Sequence, residues 1–161
     1  MRERVEDVSI RPVRAEDAGE VLTLQRAAFV QEALIYDSVQ MPALTQTLAE
    51  LEAELVDNLG CVAQIGERTV GAVRARRDGE LLLVGRLVIA PDLQGAGIGS
   101  RLLAVVEERG REVGCRVAEL FTGSLSEANL RLYTKLGYRE TERSTAMTGS
   151  SRSSCAKTSA D

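Results

Sequence analysis

Val8 to Val13 alternate between apolar and polar residues, the period-two signature of a strand. From about Ala18 to Val30, Val21, Leu24 and Ala28 recur at helical spacing, with Leu22 and Phe29 beside the same stripe. Glu16 and Asp17 stand just before it, where a first helical turn favours negative charge. Residues 31–44 are less regular and contain Pro42. Thr45 to Asp57 returns to a helical pattern, with Leu48, Leu51 and Leu55 apolar and Glu50, Glu52 and Glu54 outward. Cys61 to Ile65 and Val70 to Ala75 predict a hairpin around Gly66-Glu67-Arg68. Asp78-Gly79 marks a turn, and Glu80 to Ala90 is a nearly unbroken apolar run that predicts a central strand buried on both faces.

A glycine-rich stretch, Pro91 to Gly99, leads into a helix that ends near Val113, with Ile98, Leu102, Val105 and Val106 inward and Gly114 as its cap. Arg116 to Phe121 predicts a strand. Ser126 can cap a helix that runs to Leu136 and stops at Gly137. Tyr138 to Glu142 predicts one more strand. Beyond it the pattern fades: ten of the 21 residues from Thr141 to Asp161 are Ser or Thr. A weak last strand around Ser144 to Met147, or none, is expected there. The alternation of strands and helices in the second half predicts an α/β or α+β class with a mixed sheet. Residues 1–143 form the domain, and 144–161 a polar tail.

Length and charge narrow the chemistry. A chain of 161 residues fits one domain. A net charge of −4 offers no basic field to a phosphate backbone, which disfavours a nucleic-acid partner. The chain has no histidine, which removes Ser-His-Asp and Cys-His triads, histidine metal sites and imidazole bases together. Cys61, Cys115 and Cys155 are too few and too scattered for a disulfide framework or a metal site, and read as idle thiols. The charged N-terminus lacks the apolar run of a signal peptide, and no stretch approaches a membrane span. The expected location is the cytoplasm.

The candidate chemistry lies in Gln94-Gly-Ala-Gly-Ile-Gly99. A strand, a glycine turn and a helix N-terminus together present unpaired N–H groups to an anion. A tight turn without a ligand is the plain alternative. The P-loop pattern fails because no Lys follows the glycines. The dinucleotide pattern fails narrowly at Ser100, and too little chain follows to complete its sheet. Gln94, Gly97 and Gly99 match Gln/Arg-x-x-Gly-x-Gly/Ala in full.

Leu87-Val-Ile-Ala-Pro-Asp-Leu-Gln-Gly-Ala-Gly-Ile-Gly99 and Ser126-Glu-Ala-Asn-Leu-Arg-Leu-Tyr-Thr-Lys-Leu-Gly-Tyr138 together resemble the two signatures of the GCN5-related N-acetyltransferase (GNAT) family. The resemblance covers Ser9 to about Glu142. It implies a central mixed, mostly antiparallel sheet, splayed at an acetyl-CoA site and flanked by about four helices. It implies that the amides of Gln94, Gly95, Ala96, Gly97, Ile98, Gly99 and Ser100 hold the pyrophosphate of acetyl-CoA. Leu87, Val88 and Ile89 would pair their backbone with its pantetheine arm. Asn129 and Tyr133, four residues apart on one helix, would reach the same arm, and the Tyr133 hydroxyl would protonate the departing thiolate. The implied reaction is direct attack of an amine on the thioester, with a backbone N–H near Val88 as oxyanion donor.

A general base is harder to assign. Some relatives carry a Glu about eleven residues before the Gln, and Leu83 stands there in this chain. Glu80 and Glu119 are the candidates that remain, beside a mechanism with no protein base. Residues 29–42 would form an acceptor wall, with Tyr36, Glu32 and Asp37 able to hold an ammonium, or Leu34 and Ile35 would seal the core or a dimer contact. The expectation is an N-acetyltransferase acting on a small-molecule or peptide amine, with no membrane partner and a homodimer as its commonest assembly. The alternative is an acyl-CoA-binding regulatory module with little or no turnover.

Overall fold

A computed structural model describes residues 7–36, 42–123, 131, 133–145 and 151–158. Strand β1 (Ser9–Pro12) leads through a short 3-10 turn into α1 (Ala18–Tyr36), α2 (Pro42–Thr45) and α3 (Leu48–Leu55). Strands β2 (Cys61–Ile65), β3 (Arg68–Asp78) and β4 (Leu81–Ile89) follow, then α4 (Ile98–Glu112), β5 (Val117–Gly123), β6 (Arg139–Thr145) and β7 (Ser151–Thr158). Helix α1 runs past the expected end at Val30, through part of the stretch that looked irregular. The order in the single seven-stranded sheet is β1-β2-β3-β4-β5-β7-β6. Of its neighbouring pairs only β4–β5 is parallel, with α4 as the crossover between them. This is the mixed, mostly antiparallel sheet expected.

The sheet separates two helical layers. Val21, Leu22 and Leu24 of α1 and Leu51 and Leu55 of α3 are buried on one side. Ile98, Leu102, Leu103 and Val106 of α4 are buried on the other. Gly71 of β3 lies under Leu102 and Ile98, so from Gly71 onward the odd-numbered β3 residues face α4, whereas Thr69, before a shift in the β2–β3 register, bonds Glu20 of α1. Arg74 bonds Gln25 of α1 and pairs with Glu54 of α3, so even-numbered β3 residues face the other layer.

Strand β4 does not match the two-face burial expected of it. Leu82, Val84 and Val88 are buried while Leu81, Leu83 and Leu87 are only partly covered. Leu81 to Val84 alternate as a strand with one well-covered face, and a bulge follows them. Ala72 pairs with Val88 and Arg74 with Gly85, so Arg86 and Leu87 together oppose Val73. Arg86 takes a φ of 52°, left-handed for a side-chain-bearing residue. The extra residue exchanges the faces: Leu83 and Gly85 look toward α1 and α3, and so does Val88 beyond the bulge.

The C-terminal expectation needs correction. Ser144 and Thr145 close β6, and a further strand, Ser151–Thr158, lies between β5 and β6 with partners on both sides. A strand bonded on two sides is held by its backbone and its neighbours, so its serine-rich side chains gave no alternating signal.

Candidate functional site

The pairing of β4 with β5 runs only from Leu81↔Val117 to Val84↔Leu120. Past that point β4 stays with β3, and β5 continues as far as Gly123 with β7. Two strands that follow different neighbours must part, and the sheet opens as a fork. One wall of the gap is the outer backbone edge of Gly85 to Ile89. The Ala90 amide donates to the Val70 carbonyl at 2.8 Å. Mutually bonded pairs recur every second residue of an antiparallel ladder, so Val88 is bonded toward Ala72. The amides of Leu87 and Ile89 therefore turn outward to the gap, and the Ile89 carbonyl accepts from Gln94 Nε2 at 3.5 Å. Near Val88, the outward amides are those of its neighbours, because the bulge sets which amides face out.

Beyond Ile89 the chain turns through Pro91–Leu93 into the glycine loop. An Arg68–Asp92 ion pair of 2.7 Å ties the start of the turn to β3, and the Leu93 amide donates to Ala90 at 2.9 Å. Gly95 and Gly97 have φ of 81° and 90°. A Cβ at either would meet nothing within 4 Å, so the glycines answer to backbone conformation and leave open space outside the loop. Gln94, Gly95, Ala96 and Gly97 are exposed, and α4 begins at once with Ile98 and Gly99 buried and Ser100 partly so. Its first-turn amides have no acceptor within the helix and point past the open glycines. A diphosphate fits this loop by charge, donors and clearance.

Tyr133 is buried at 4% exposure, edge to face with Tyr138 at 6.2 Å between ring centroids. The Tyr138 hydroxyl donates to Glu107 Oε1 of α4 at 2.9 Å, which anchors the segment carrying Tyr133 to that helix. Asn129 lies outside the described residues. The structure separates the two candidate bases. Glu119 pairs in register with Leu83 next to the end of the β4–β5 ladder, half-buried and on the α1–α3 face. Glu80 sits at the opposite end of β4, exposed, its side chain 3.9 Å from Arg116. It is not brought to the fork. Of the proposed acceptor wall, Leu34 of α1 is 77% exposed and seals no core, and Asp37 lies outside the described residues.

The sequence reading missed a buried polar cluster under α1–α3. Arg74 is 5% exposed. Its Nη1 donates to Gln25 Oε1 at 2.6 Å and its Nη2 to Gln46 Oε1 at 3.4 Å. Its Nε lies 2.9 Å from Glu54 Oε1, an ion pair without the alignment of a hydrogen bond. Gln46 Nε2 holds the second Glu54 oxygen at 2.7 Å. Burial first, offset by Glu54 and reinforced by the charge of Arg86, pulls the Arg74 pKa down to about 10. Arg74 helps line a cavity of about 390 Å³ beside the fork, with Arg76, Leu83, Gly85, Arg86 and Glu54. The one signal in the sequence was a charge inside the apolar run Val70 to Ala75.

The model of the Acetyltransferase (GNAT) family matches residues 23–138. An aminoalkylphosphonate N-acetyltransferase of Salmonella typhimurium is 37% identical over 57 residues, 35% of this chain and 37% of that protein. The chain spans 37% of the length of the curated relatives it matches. Among solved structures, the PaiA N-acetyltransferase of Thermoplasma acidophilum in complex with coenzyme A has a TM-score of 0.73 at 17% identity, over 91% of this chain and 97% of that one. YncA of Salmonella typhimurium, solved with acetyl-CoA, gives 0.74 at 17% identity, over 94% of each chain. At these identities the structural likeness speaks for the fold.

Proposed function

The chain belongs to the GNAT acetyltransferase family, whose cofactor is acetyl-CoA, and from that premise we propose that it transfers the acetyl group to a primary amine of a small molecule or peptide by direct attack on the thioester. The observation that carries this reading is the fork: β4 loses β5 after Val84 and runs on, with outward amides, into the glycine loop. Acetyl-CoA supplies an activated acyl carbon. The loop amides from Gly95 to Ser100 would hold its diphosphate, and the free edge of Leu87 to Ile89 its amide-bearing arm. The outward Leu87 amide is the donor best placed to stabilise negative charge on the acyl oxygen.

Proton handling falls to two side chains. Glu119, beside the fork, takes a proton from the incoming ammonium, directly or through one water. Tyr133 gives a proton to the sulfur; a phenol and a thiol have similar proton affinities, so transfer between them is nearly balanced. The nitrogen–carbon bond forms first, placing charge on the acyl oxygen, and the carbon–sulfur bond then breaks. Of the two protons the ammonium loses, one leaves through Glu119 to solvent and the other returns to Tyr133 in place of the one given to the thiol.

A thiol-release assay with acetyl-CoA and a panel of amines tests the reading. Tyr133→Phe is expected to lower kcat at least tenfold with little change in KM for acetyl-CoA, about 1.4 kcal/mol of barrier or more. Unchanged kcat would leave Tyr133 a packing residue beside Tyr138. Binding of acetyl-CoA with no turnover of any amine would favour the acyl-CoA-binding module instead.

A further inference from the structure

The glycine loop carries a charge of the wrong sign for its ligand. From Pro91 to Ser100 the one charged residue is Asp92, and no Lys or Arg stands among the glycines. The amides of the loop and of the first turn of α4 offer partial positive charge to a diphosphate, but only at short range. Asp92 is three residues from Gly95, so their Cα atoms are at most about 11 Å apart. That is close to the range over which physiological salt screens a charge, about 8 Å. A bare carboxylate there would weigh against any polyanion in the loop.

The fold does not leave it bare. Arg68, the first residue of β3, donates to Asp92 through both terminal nitrogens, Nη2 to Oδ1 at 2.7 Å and Nη1 to Oδ2 at 3.2 Å. Two such charge-assisted bonds fix direction as well as charge. β3 borders β4 on the side opposite β5, so the pair draws the carboxylate away from the gap. The bonds from Arg68 also hold the Asp92 carboxyl below the usual carboxylate range. Arg101, the first cation beyond the loop, gives its Nη2 to the Val8 carbonyl at 3.1 Å. The cation that answers Asp92 therefore comes from β3, 24 residues back along the chain.

We propose that Arg68 is a positioning residue for the donor: it neutralises the Asp92 carboxylate and turns it from the gap, which leaves the loop amides free to take the phosphates of acetyl-CoA. The proposal rests on the reading that this loop holds the diphosphate, and it brings into donor binding a strand outside the motif. Its signature is an asymmetry. If the pair were only a strap on the loop, loss of either partner would do equal harm. If Arg68 masks a charge, loss of Arg68 harms donor binding, loss of Asp92 does not, and loss of both restores it.

The test titrates coenzyme A calorimetrically into the full chain and into Arg68→Met, Asp92→Asn and the double variant, at low and at high salt. The pair is exposed, so thermal denaturation without ligand should find all four chains folded with Tm within a few degrees. Arg68→Met should raise Kd for coenzyme A about fivefold at low salt and less at high salt. Asp92→Asn and the double variant should stay within about twofold of the parent. Equal losses in the two single variants would make the pair a strap and overturn the proposal. A double variant as weak as Arg68→Met would mean that Arg68 acts on the phosphates itself, and an unchanged Arg68→Met that it does not act at all. Either result also overturns the proposal, and in all three cases the loop keeps its ligand. If coenzyme A does not bind the parent chain, the loop reading fails and the proposal with it.

Discussion

Gly97 sits at φ 90° with open space where a side chain would project. Alanine there meets no neighbour, yet must adopt a left-handed backbone at a cost of about 1–2 kcal/mol. Gly97→Ala is expected to lower Tm by a few degrees and to raise KM for acetyl-CoA, because the loop relaxes away from the shape that aims its amides. Thermal denaturation and a donor titration check both. Asp17 makes a different kind of single-residue case. Burial alone would lift its carboxyl, but Arg11 at 2.7 and 2.9 Å and the Arg14 amide at 2.7 Å outweigh it and hold the group below the usual carboxylate range. A depressed folded pKa adds stability that is complete above the unfolded value, about pH 4, and is lost as pH falls through the folded one. Urea midpoints measured from pH 7 to pH 2 should show the parent protein's advantage over Asp17→Asn shrinking across that lower range. A difference that stays constant with pH would overturn this.

At the level of elements, the sequence spoke clearly where one residue type is obligatory. Gly95 and Gly97 fall in a strand–turn–helix where left-handed backbone leaves few choices of residue. The helices α1, α3 and α4 were legible from their apolar spacing. The bulge in β4 was not. Arg86 and Leu87 lie in an apolar run that no period can phase, and only pairing with Val73 shows that two residues oppose one. That hidden step decides which amides face the gap and puts Val88 on the same face as Leu83 and Gly85. Arg74 escaped for a related reason. Its partners Gln25, Gln46 and Glu54 come from three other segments, and proximity across tertiary structure has no local signature.

The β5–β6 end of the sheet depends on β7. β6 follows β5 in sequence but does not touch it in the strand order; β7 stands between them. A chain ending at residue 150 would take from β6 its partner and from β5 an edge, so both should fail together. Limited proteolysis should then cut readily within residues 139–150, and circular dichroism should lose more strand than the deleted residues contain. Equal resistance in the shortened chain would show that β6 finds another support. The polar composition of residues 141–161 concealed this role, since it reports on side chains and the strand is held by its backbone.

The fork also determines how the backbone exchanges hydrogen with heavy water. Along one short edge, the amides of Val88 and Ala90 are committed to β3, while those of Leu87 and Ile89 face the gap. From Leu87 to Ala90 neighbouring residues should therefore differ sharply: fast, slow, fast, slow, like the teeth of a comb. Adding acetyl-CoA should quiet only the fast teeth. Read at single-residue resolution, the isotope pattern distinguishes a ligand that pairs with this edge from one that merely stiffens the fold, since stiffening would slow all of these amides alike.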